Sequence, residues 1–598
     1  NGFVEKIDPQ KKYFNGEFLK IPSMEMDYVI KSFKVPIGIA KNQALKENLF
    51  SALYCIINKI PLIICGKPGR SKTLCIQILE NSMKGKEGSK SYLCKSFPEL
   101  IIKKIQGSLN TKTEDIIEVF KNAREMQKEE SNKEKLILVL MDEMGLAELS
   151  INNPLKVTHF ELENEKDKIP FIGITNWALD ASKMNRVIYI IVQEPDENDL
   201  IITAEEIVKS YEINKENYYE KYGTFFKYLS MAYYKFIEDK KIKNSENKFF
   251  HGTRDFYSLI KNVIADIIKN QNKLIENNDD EILYKICIKN IERNFGGLEN
   301  SINEFKSYFN VLFNQEKKLD NLKEYELLES IKNNLYDKDS RYLLMISDSS
   351  ISKDILNSMI NEINNQICNN KNDENNEIYN FEENKNKILK KKEIVTIVGS
   401  KFKLDEKDNY YYDDILYKIK CQLETENILI LKDLEIIYPS LYELFNKSFI
   451  NLQGTNFAKL GKSKSLSLVN DNFKVIVLVD KKNIPNEDPP FLNRFEKHII
   501  SFTNILNSKL ISLADEIFSV LKEIISLDFI MNPNDNNSKN QITKLNRNIK
   551  FISKEEVRGL VYYASKKKII EKNEIIKYIL NKIAPTFTED LMIIIQKF

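Results

Sequence analysis

Strand-sized apolar runs alternate with amphipathic helical patterns along this chain, and the whole scheme occurs twice. In the first pass, the run opening at Pro61 (PLIIC) and the runs Leu100–Ile105, Leu136–Met141, Pro170–Thr175 and Val187–Val192 predict strands. Apolar positions recur at helical spacing over Ile37–Lys59, Leu74–Met83 and Thr113–Lys128, which predicts helices between them. Such alternation implies a parallel sheet covered on both faces. From Glu197 to Asn310 helical patterns dominate, as at Phe256–Lys269, and predict a helical subdomain appended to the α/β core. Strand candidates return at Tyr342–Ser347, Ile394–Gly399, Ile428–Leu431, Lys474–Val479 and His498–Phe502, followed by helices from Ile511 to the end. The expected division is a connector over 1–35, an α/β core over 36–195, a helical lid over 196–325, a second α/β core over 326–505 and a second lid over 506–598. Two Asn-rich stretches, Asn369–Asn386 and Asn532–Asn540, bury too little apolar surface to fold alone and are expected to be disordered insertions.

Composition narrows the class. The length of 598 residues suits about four compact units. A hydrophobic share of 42% with 29% charged residues is that of a soluble globular protein. The net charge of +2 gives no call for nucleic acid or an anionic membrane, and runs such as Lys390–Lys392 read as solvated faces. No apolar run approaches the roughly 20 residues needed to cross a bilayer, so no transmembrane segment is expected, and none reads as a signal peptide. The seven cysteines (Cys55, Cys65, Cys75, Cys94, Cys287, Cys368, Cys421) are scattered, with no C-x-x-C pair, and His159, His251 and His498 are the three histidines. That pattern excludes a zinc ribbon or RING-type site within these residues and suits a reducing, cytoplasmic setting. The chain opens at Asn1 without a methionine, so a piece of something longer is expected.

Candidate chemistry centres on Pro61–Thr73, PLIICGKPGRSKT, an apolar strand running into a glycine-bearing loop that ends in Lys-Thr. In a phosphate-binding loop the backbone N–H groups wrap the α- and β-phosphates, the lysine reaches the β- and γ-phosphates and the next hydroxyl holds Mg²⁺. Here those parts are Gly66, Lys67, Pro68, Gly69, Arg70 and Ser71, then Lys72, then Thr73. Ser71 departs from the usual pattern, which has glycine before the lysine so that backbone can approach the phosphate. Taken alone, the loop could be an ordinary polar turn after a buried strand. A second element weighs against that: Leu136–Glu143, LILVLMDE, is an apolar run ending in two carboxylates, at the strand end where open α/β sheets bind ligands. Asp142 is the candidate Mg²⁺ ligand and Glu143 the candidate base for the attacking water. The second copy lacks this equipment: DSSISKD follows its first strand, and ILIL ends in Lys432-Asp433.

The wording of these segments resembles a known family. GKPGRSKTL, LMDEMGLAELSINNPLK, FIGITNWALDASKMNR, GTRDFYSLIK, RNFGG, LYELFNKSFINLQG and FLNRFEKH are similar to the AAA+ core of the mysterin family, giant RING-type ubiquitin ligases with a dynein-like AAA+ ring. The resemblance covers most of the chain outside the Asn-rich stretches, and mysterin-like loops share the serine before the lysine. It implies two tandem AAA+ modules of α/β class, each a parallel P-loop sheet with a helical lid, the first competent and the second degenerate. It implies ATP and Mg²⁺ as cofactors, neighbouring AAA+ modules as partners, and ubiquitin machinery reached through a ligase region outside these residues. By the same resemblance Asn176 matches sensor 1, Arg254 matches sensor 2, and Arg186 and Arg494 match arginine fingers. Arg494 would complete the site built on Lys72, and Arg186 would serve a module upstream. Other roles for these residues are a turn-capping asparagine, a solvated arginine at a helix start and an arginine offsetting a helix dipole. The expected function is Mg²⁺-dependent ATP hydrolysis. Its rivals are an ATP-gated scaffold with little turnover and a nucleic-acid-dependent machine, the latter disfavoured by the near-neutral charge.

Overall fold

The computed structural model describes residues 17–583 apart from 109, 130–133, 151, 164–166, 212–216, 243–248, 272–278, 314–326, 348–351, 370–390, 403, 406–408, 462–465, 505, 532–552, 568 and 570. The Asn-rich stretches, from residue 370 and from residue 532, therefore lie outside the described residues.

Two five-stranded parallel sheets carry the fold. The first comprises β1 (Leu62–Cys65), β2 (Glu99–Gln106), β3 (Lys135–Asp142), β4 (Phe171–Thr175) and β5 (Ile188–Ile191) in the order β2-β3-β4-β1-β5. The second comprises β6 (Leu343–Ser347), β7 (Ile394–Val398), β8 (Ile428–Lys432), β12 (Lys474–Asp480) and β13 (Glu496–Ile499). Its order, β13-β6-β12-β8-β7, is the first order over again with β6 in the place of β1. Between β8 and β12 the second module carries an antiparallel sheet of β9 (Ile450–Leu452), β10 (Thr455–Lys459) and β11 (Leu466–Val469), which the apolar pattern did not predict. These strands are only 3, 5 and 4 residues long, too short for their apolar positions to stand out as a run.

The apolar runs become parallel strands because helices bury both faces. Side chains alternate across a strand, so Leu62 and Ile64 of β1 pack on one side with Leu45, Leu49, Ile76 and Leu79 of the helices Gln43–Ile57 and Lys72–Ser82. Ile63 faces the other side, with Ile116 and Phe120 of the helix Thr113–Lys128. Residues 17–32, read from the sequence as part of a connector, form the helix Glu17–Ser32, and Val29 and Ile30 join the first of these clusters. Five helices (Glu197–Lys209, Tyr218–Ile242, Thr253–Lys269, Asp279–Asn294, Ser301–Phe313) make the first lid around an aromatic core that includes Phe236, Phe256 and Phe295. The helices Ser508–Met531, Lys554–Lys566 and Lys572–Ile583 form a smaller lid.

The last strand of the second sheet differs from the expected His498–Phe502. It runs Glu496–Ile499, and Phe502 begins a 3₁₀ turn, Phe502–Asn504. The reason is a buried charge network that sequence reads as surface. Glu496 is 2% exposed and takes both arms of the Arg293 guanidinium at 3.2 and 3.1 Å, with Asn334 Nδ2 donating to it at 2.8 Å. Lys497 and Arg341 each reach Asp255 at 2.8 Å. Arg293 and Asp255 belong to the first lid, Glu496, Lys497 and Arg341 to the second core, so this network is the seam between the modules.

Burial opposes the Glu496 charge, but Arg293 and His498 outweigh it and hold its carboxyl far below the usual carboxylate range. A depressed folded-state pKa contributes stability above the unfolded value, near 4.3, and that contribution is lost as the pH falls below it. Glu496→Gln, which leaves Arg293 buried without its counter-charge, is expected to destabilise the chain by about 3–5 kcal/mol. It should also flatten the loss of stability below about pH 4. Urea midpoints of parent and variant at pH 7 and pH 4 check both expectations. Equal midpoints at pH 7 would remove the seam's stabilising role.

Candidate active site

After β1 the chain turns through Gly66–Ser71 and enters the helix Lys72–Ser82. Gly69 has φ +82°, and a Cβ there would collide with Thr253 Oγ1, so glycine is needed both for conformation and for space. Ser71, the departure from the usual loop pattern, has φ 55° and ψ 15°. This left-handed conformation costs an L-residue about 1–2 kcal/mol, strain of the kind that concentrates at functional sites. Neighbouring side chains grip the loop: Asn48 Nδ2 donates to Arg70 O at 3.2 Å, Thr253 Oγ1 to Pro68 O at 3.2 Å and Tyr257 Oη to Gly69 O at 3.1 Å. Lys67 pairs with Glu194.

Lys72 is buried, 6% exposed, and its ammonium donates to Gly66 O, to Lys67 O at 2.9 Å and to Asn176 Oδ1 at 3.0 Å. Burial pulls its pKa down to about 8, with Glu143 working in the opposite direction. Thr73, next on the helix, is half-buried.

Asp142 ends β3, and Glu143 follows with φ 52° and ψ 43°. Gly107, just past β2, lies so close that a Cβ would collide with the Glu143 carbonyl oxygen. Glu143 Oε2 accepts from Asn176 Nδ2, and Oε1 accepts from Arg494 Nη2 at 3.1 Å. Asp142 Oδ1 accepts the Glu143 N–H at 3.0 Å, and its Oδ2 lies 3.5 Å from Lys104 Nζ. The result is a continuous polar chain, Lys72 to Asn176 to Glu143 to Arg494, that crosses from the first module to the second.

Arg494 follows the short helix Pro489–Leu492 and is 4% exposed. Its guanidinium lies 3.5 Å from the Tyr442 ring centroid, Nη1 donates to Pro490 O, and Nε has no acceptor among the described residues. Arg254 Nη1 donates to Asn446 Oδ1 at 2.9 Å. Burial and then the neighbouring Arg494 charge lower the Arg254 pKa to about 10, opposed by Glu143. Arg186 occupies the matching place in the first module, after the helix Ala181–Met184, and pairs with Glu163 at 2.8 Å.

Of the residues singled out from sequence, Lys72, Asn176, Glu143 and Arg494 meet directly, and Arg254 sits within electrostatic reach of Lys72, Glu143 and Asp142. Sequence reasoning missed Thr253, Tyr257, Lys104, Tyr442 and Asn446. The first two lie in GTRDFYSLIK and the last two in LYELFNKSFINLQG, so those words carried the signal without the contacts. Lys104 had none, because its strand was read as an apolar run.

Among the described residues, the second module keeps the backbone turn that follows β3 with other side chains on it. Gly107 N–H donates to Asp142 O at 2.8 Å, and Gly399 N–H donates to Lys432 O at 2.8 Å. Lys432 thus stands where Asp142 does, and Asp433, also left-handed at φ 54°, stands where Glu143 does. Asp433 pairs with Lys401 at 3.4 Å.

The donor set of the first module fits a nucleotide with a divalent cation. A hydroxyl and a carboxylate, from Thr73 and Asp142, suit a hard, oxygen-seeking ion such as Mg²⁺. The Arg494 Nε–H without an acceptor and the buried Lys72 ammonium suit phosphate oxygens.

Comparison with known proteins agrees with the two-module fold. Residues 38–199 match a family described as RNF213 AAA domain, and residues 332–506 match a second family of the same description. Together they cover more than half of the chain. Among similar proteins are E3 ubiquitin-protein ligase rnf213-beta of Danio rerio, 30% identical over 511 residues, and E3 ubiquitin-protein ligase RNF213 of Homo sapiens, 30% identical over 512 residues. The aligned regions span 81% and 82% of this chain and 9% of each relative's length. No helix among the described residues is long and apolar enough to cross a membrane. The chain belongs to the RNF213 AAA domain family, as two tandem AAA+ modules, each a parallel sheet core followed by a helical lid.

Proposed function

We propose that the first module binds ATP with Mg²⁺ and hydrolyses it, and that the second module is non-catalytic but supplies Arg494 to that site. The observation that carries this reading is the polar chain from Lys72 through Asn176 and Glu143 to Arg494, which makes the site a joint product of both modules. In this reading the backbone N–H groups of Gly66–Ser71 and the helix start at Lys72 wrap the phosphates, and Lys72 offsets their charge. Thr73 and Asp142 hold Mg²⁺, which when bound supplies neutralisation at the transferring phosphoryl group. Asn176 and Glu143 orient water, Glu143 takes its proton as the water oxygen bonds to the γ-phosphorus, and the bond from that phosphorus to the β–γ bridging oxygen breaks. Arg494 stabilises the charge that develops. The chain would act as the ATPase part of a longer, cytoplasmic mysterin-like ubiquitin ligase. Ligase chemistry and its ubiquitin partners would reside in the rest of that protein.

A second reading, an ATP-gated scaffold with little turnover, draws on one observation: Asn176 and Arg494 already hold both carboxylate oxygens of Glu143. Labelled ATP and Mg²⁺ separate the two. Conversion of bound ATP to ADP by the chain supports hydrolysis, and persistent bound ATP supports the scaffold. Lys72→Ala should weaken ATP binding by about 2–3 kcal/mol, roughly a hundredfold. Unchanged affinity in that variant, measured by equilibrium dialysis, would move the nucleotide away from this loop.

A further inference from the structure

The segment LYELFNKSFINLQG has no part in the reading above, yet its first turn lies against the first module's site. The short helix Tyr442–Phe445 and the residue capping it, Asn446, belong to the second module. Each of three residues there holds a different cation around the site. The Tyr442 ring lies under the Arg494 guanidinium, 3.5 Å from its centroid, and the Tyr442 hydroxyl donates to Asp488 Oδ2 at 3.2 Å. Glu443 Oε1 accepts from Lys104 Nζ at 3.0 Å, closer than the 3.5 Å between that ammonium and Asp142. Asn446 Oδ1 accepts from Arg254 at 2.9 Å.

The contacts are unequal in kind. Tyr442 is 4% exposed, so its ring meets the guanidinium largely out of water, where a cation–π contact is strongest. A flat face also restricts a planar guanidinium to lie parallel to it, which fixes the direction in which Nη2 reaches Glu143. Glu443 and Asp142 share the Lys104 ammonium, with Glu443 the nearer of the two. Asn446, on the exposed side, steadies Arg254 through a neutral acceptor and leaves its charge unspent.

We propose that the turn Tyr442–Asn446 is the positioning element by which the degenerate second module sets the first module's nucleotide site, through Arg494, Lys104 and Arg254. This assignment rests on the hydrolysis reading with Arg494 at its centre. Tyr442, Glu443 and Asn446 are positioning residues: they act on the cations around the site and do not meet the nucleotide themselves.

The test compares the 598-residue chain with Tyr442→Leu, Tyr442→Phe, Arg494→Ala and the double variant Tyr442→Leu/Arg494→Ala. The readouts are kcat, KM for ATP, and affinity for a fluorescent ADP analogue. Tyr442→Leu should lower kcat roughly ten- to a hundredfold, the scale of a misplaced catalytic group, with KM and ADP affinity within about twofold. Tyr442→Phe, which keeps the ring, should recover most of kcat. The double variant should be no slower than Arg494→Ala, because the ring acts through that arginine. Unchanged kcat in Tyr442→Leu beside a slow Arg494→Ala would overturn the assignment alone, as would losses that multiply in the double variant. Unchanged kcat in Arg494→Ala would overturn the role of Arg494 and this assignment with it, and a parent chain that binds ATP without cleaving it would overturn the hydrolysis reading as well. Should Tyr442→Leu not fold, Asn446→Ala serves instead, since it removes one exposed acceptor. It should slow turnover with ADP affinity kept, and parent-like turnover would sink the proposal.

Discussion

Replacing Arg494 with alanine is expected to slow cleavage of bound ATP by about 10³–10⁵-fold while leaving ATP binding near that of the parent. On a free-energy scale this is about 4–7 kcal/mol of transition-state stabilisation. The size of the effect is what discriminates. An arginine that merely offset the dipole of the short helix before it would be worth about 0.3–1 kcal/mol and would act on stability. One arm of Arg494 does rest on Pro490 O of that helix, but the other is on Glu143 across the module boundary, the guanidinium lies 3.5 Å from the Tyr442 ring centroid, and Nε–H has no acceptor among the described residues. Arg494→Lys should also be slow, because an ammonium keeps the charge but cannot reproduce the planar fork. Single-turnover conversion of labelled ATP gives the rate, and the urea midpoint gives stability. A variant that cleaves ATP at the parent rate, or one whose whole loss follows from unfolding, would end the catalytic role of Arg494.

Glu143→Gln should leave ATP bound and cleave it about 10²–10⁴-fold more slowly, the usual contribution of a positioned general base. The amide fills the same space and its oxygen can still accept one hydrogen bond from Asn176 or Arg494, so the left-handed turn should persist. What it cannot do is take a proton. A fall in affinity matching the fall in rate would indicate that Glu143 shapes the site without acting as a base. Equal turnover would remove it from the chemistry.

Much of this architecture was legible because parallel strands buried on both faces announce themselves as unbroken apolar runs. LIIC, LILVLM and FIGIT each lie in a strand, and the doubled plan of the chain is the doubled sheet order of the structure. The strand Glu496–Ile499 was misplaced because its sequence, EKHI, looks solvated. Its partners Arg293 and Asp255 lie some two hundred residues earlier, so no local pattern could have signalled burial. Strands β9–β11 escaped for another reason: at three to five residues each they are too short for their apolar positions to stand out from the loops between them. At the site, Lys72, Asp142 and Glu143 were readable from the order of residue types along one strand–loop–helix unit. Asn176 and Arg494 needed the family resemblance, and Tyr442 and Asn446 needed coordinates, because a ring under a guanidinium leaves no mark on spacing.

The buried seam has a mechanical meaning. Arg293 and Asp255 of the first lid are locked to Glu496, Lys497 and Arg341 of the second core, while the lid helix Thr253–Lys269 holds the phosphate loop through Thr253 and Tyr257 on backbone carbonyls. Two neutral hydrogen bonds yield far more readily than a buried network of opposite charges. The first lid and the second core are thus fastened by buried charges, while the first sheet reaches the second core by the separate pairs Glu143–Arg494 and Lys104–Glu443. The first lid therefore holds the phosphate loop at Pro68 and Gly69 on one side and the far sheet on the other, a clamp shared by the two modules.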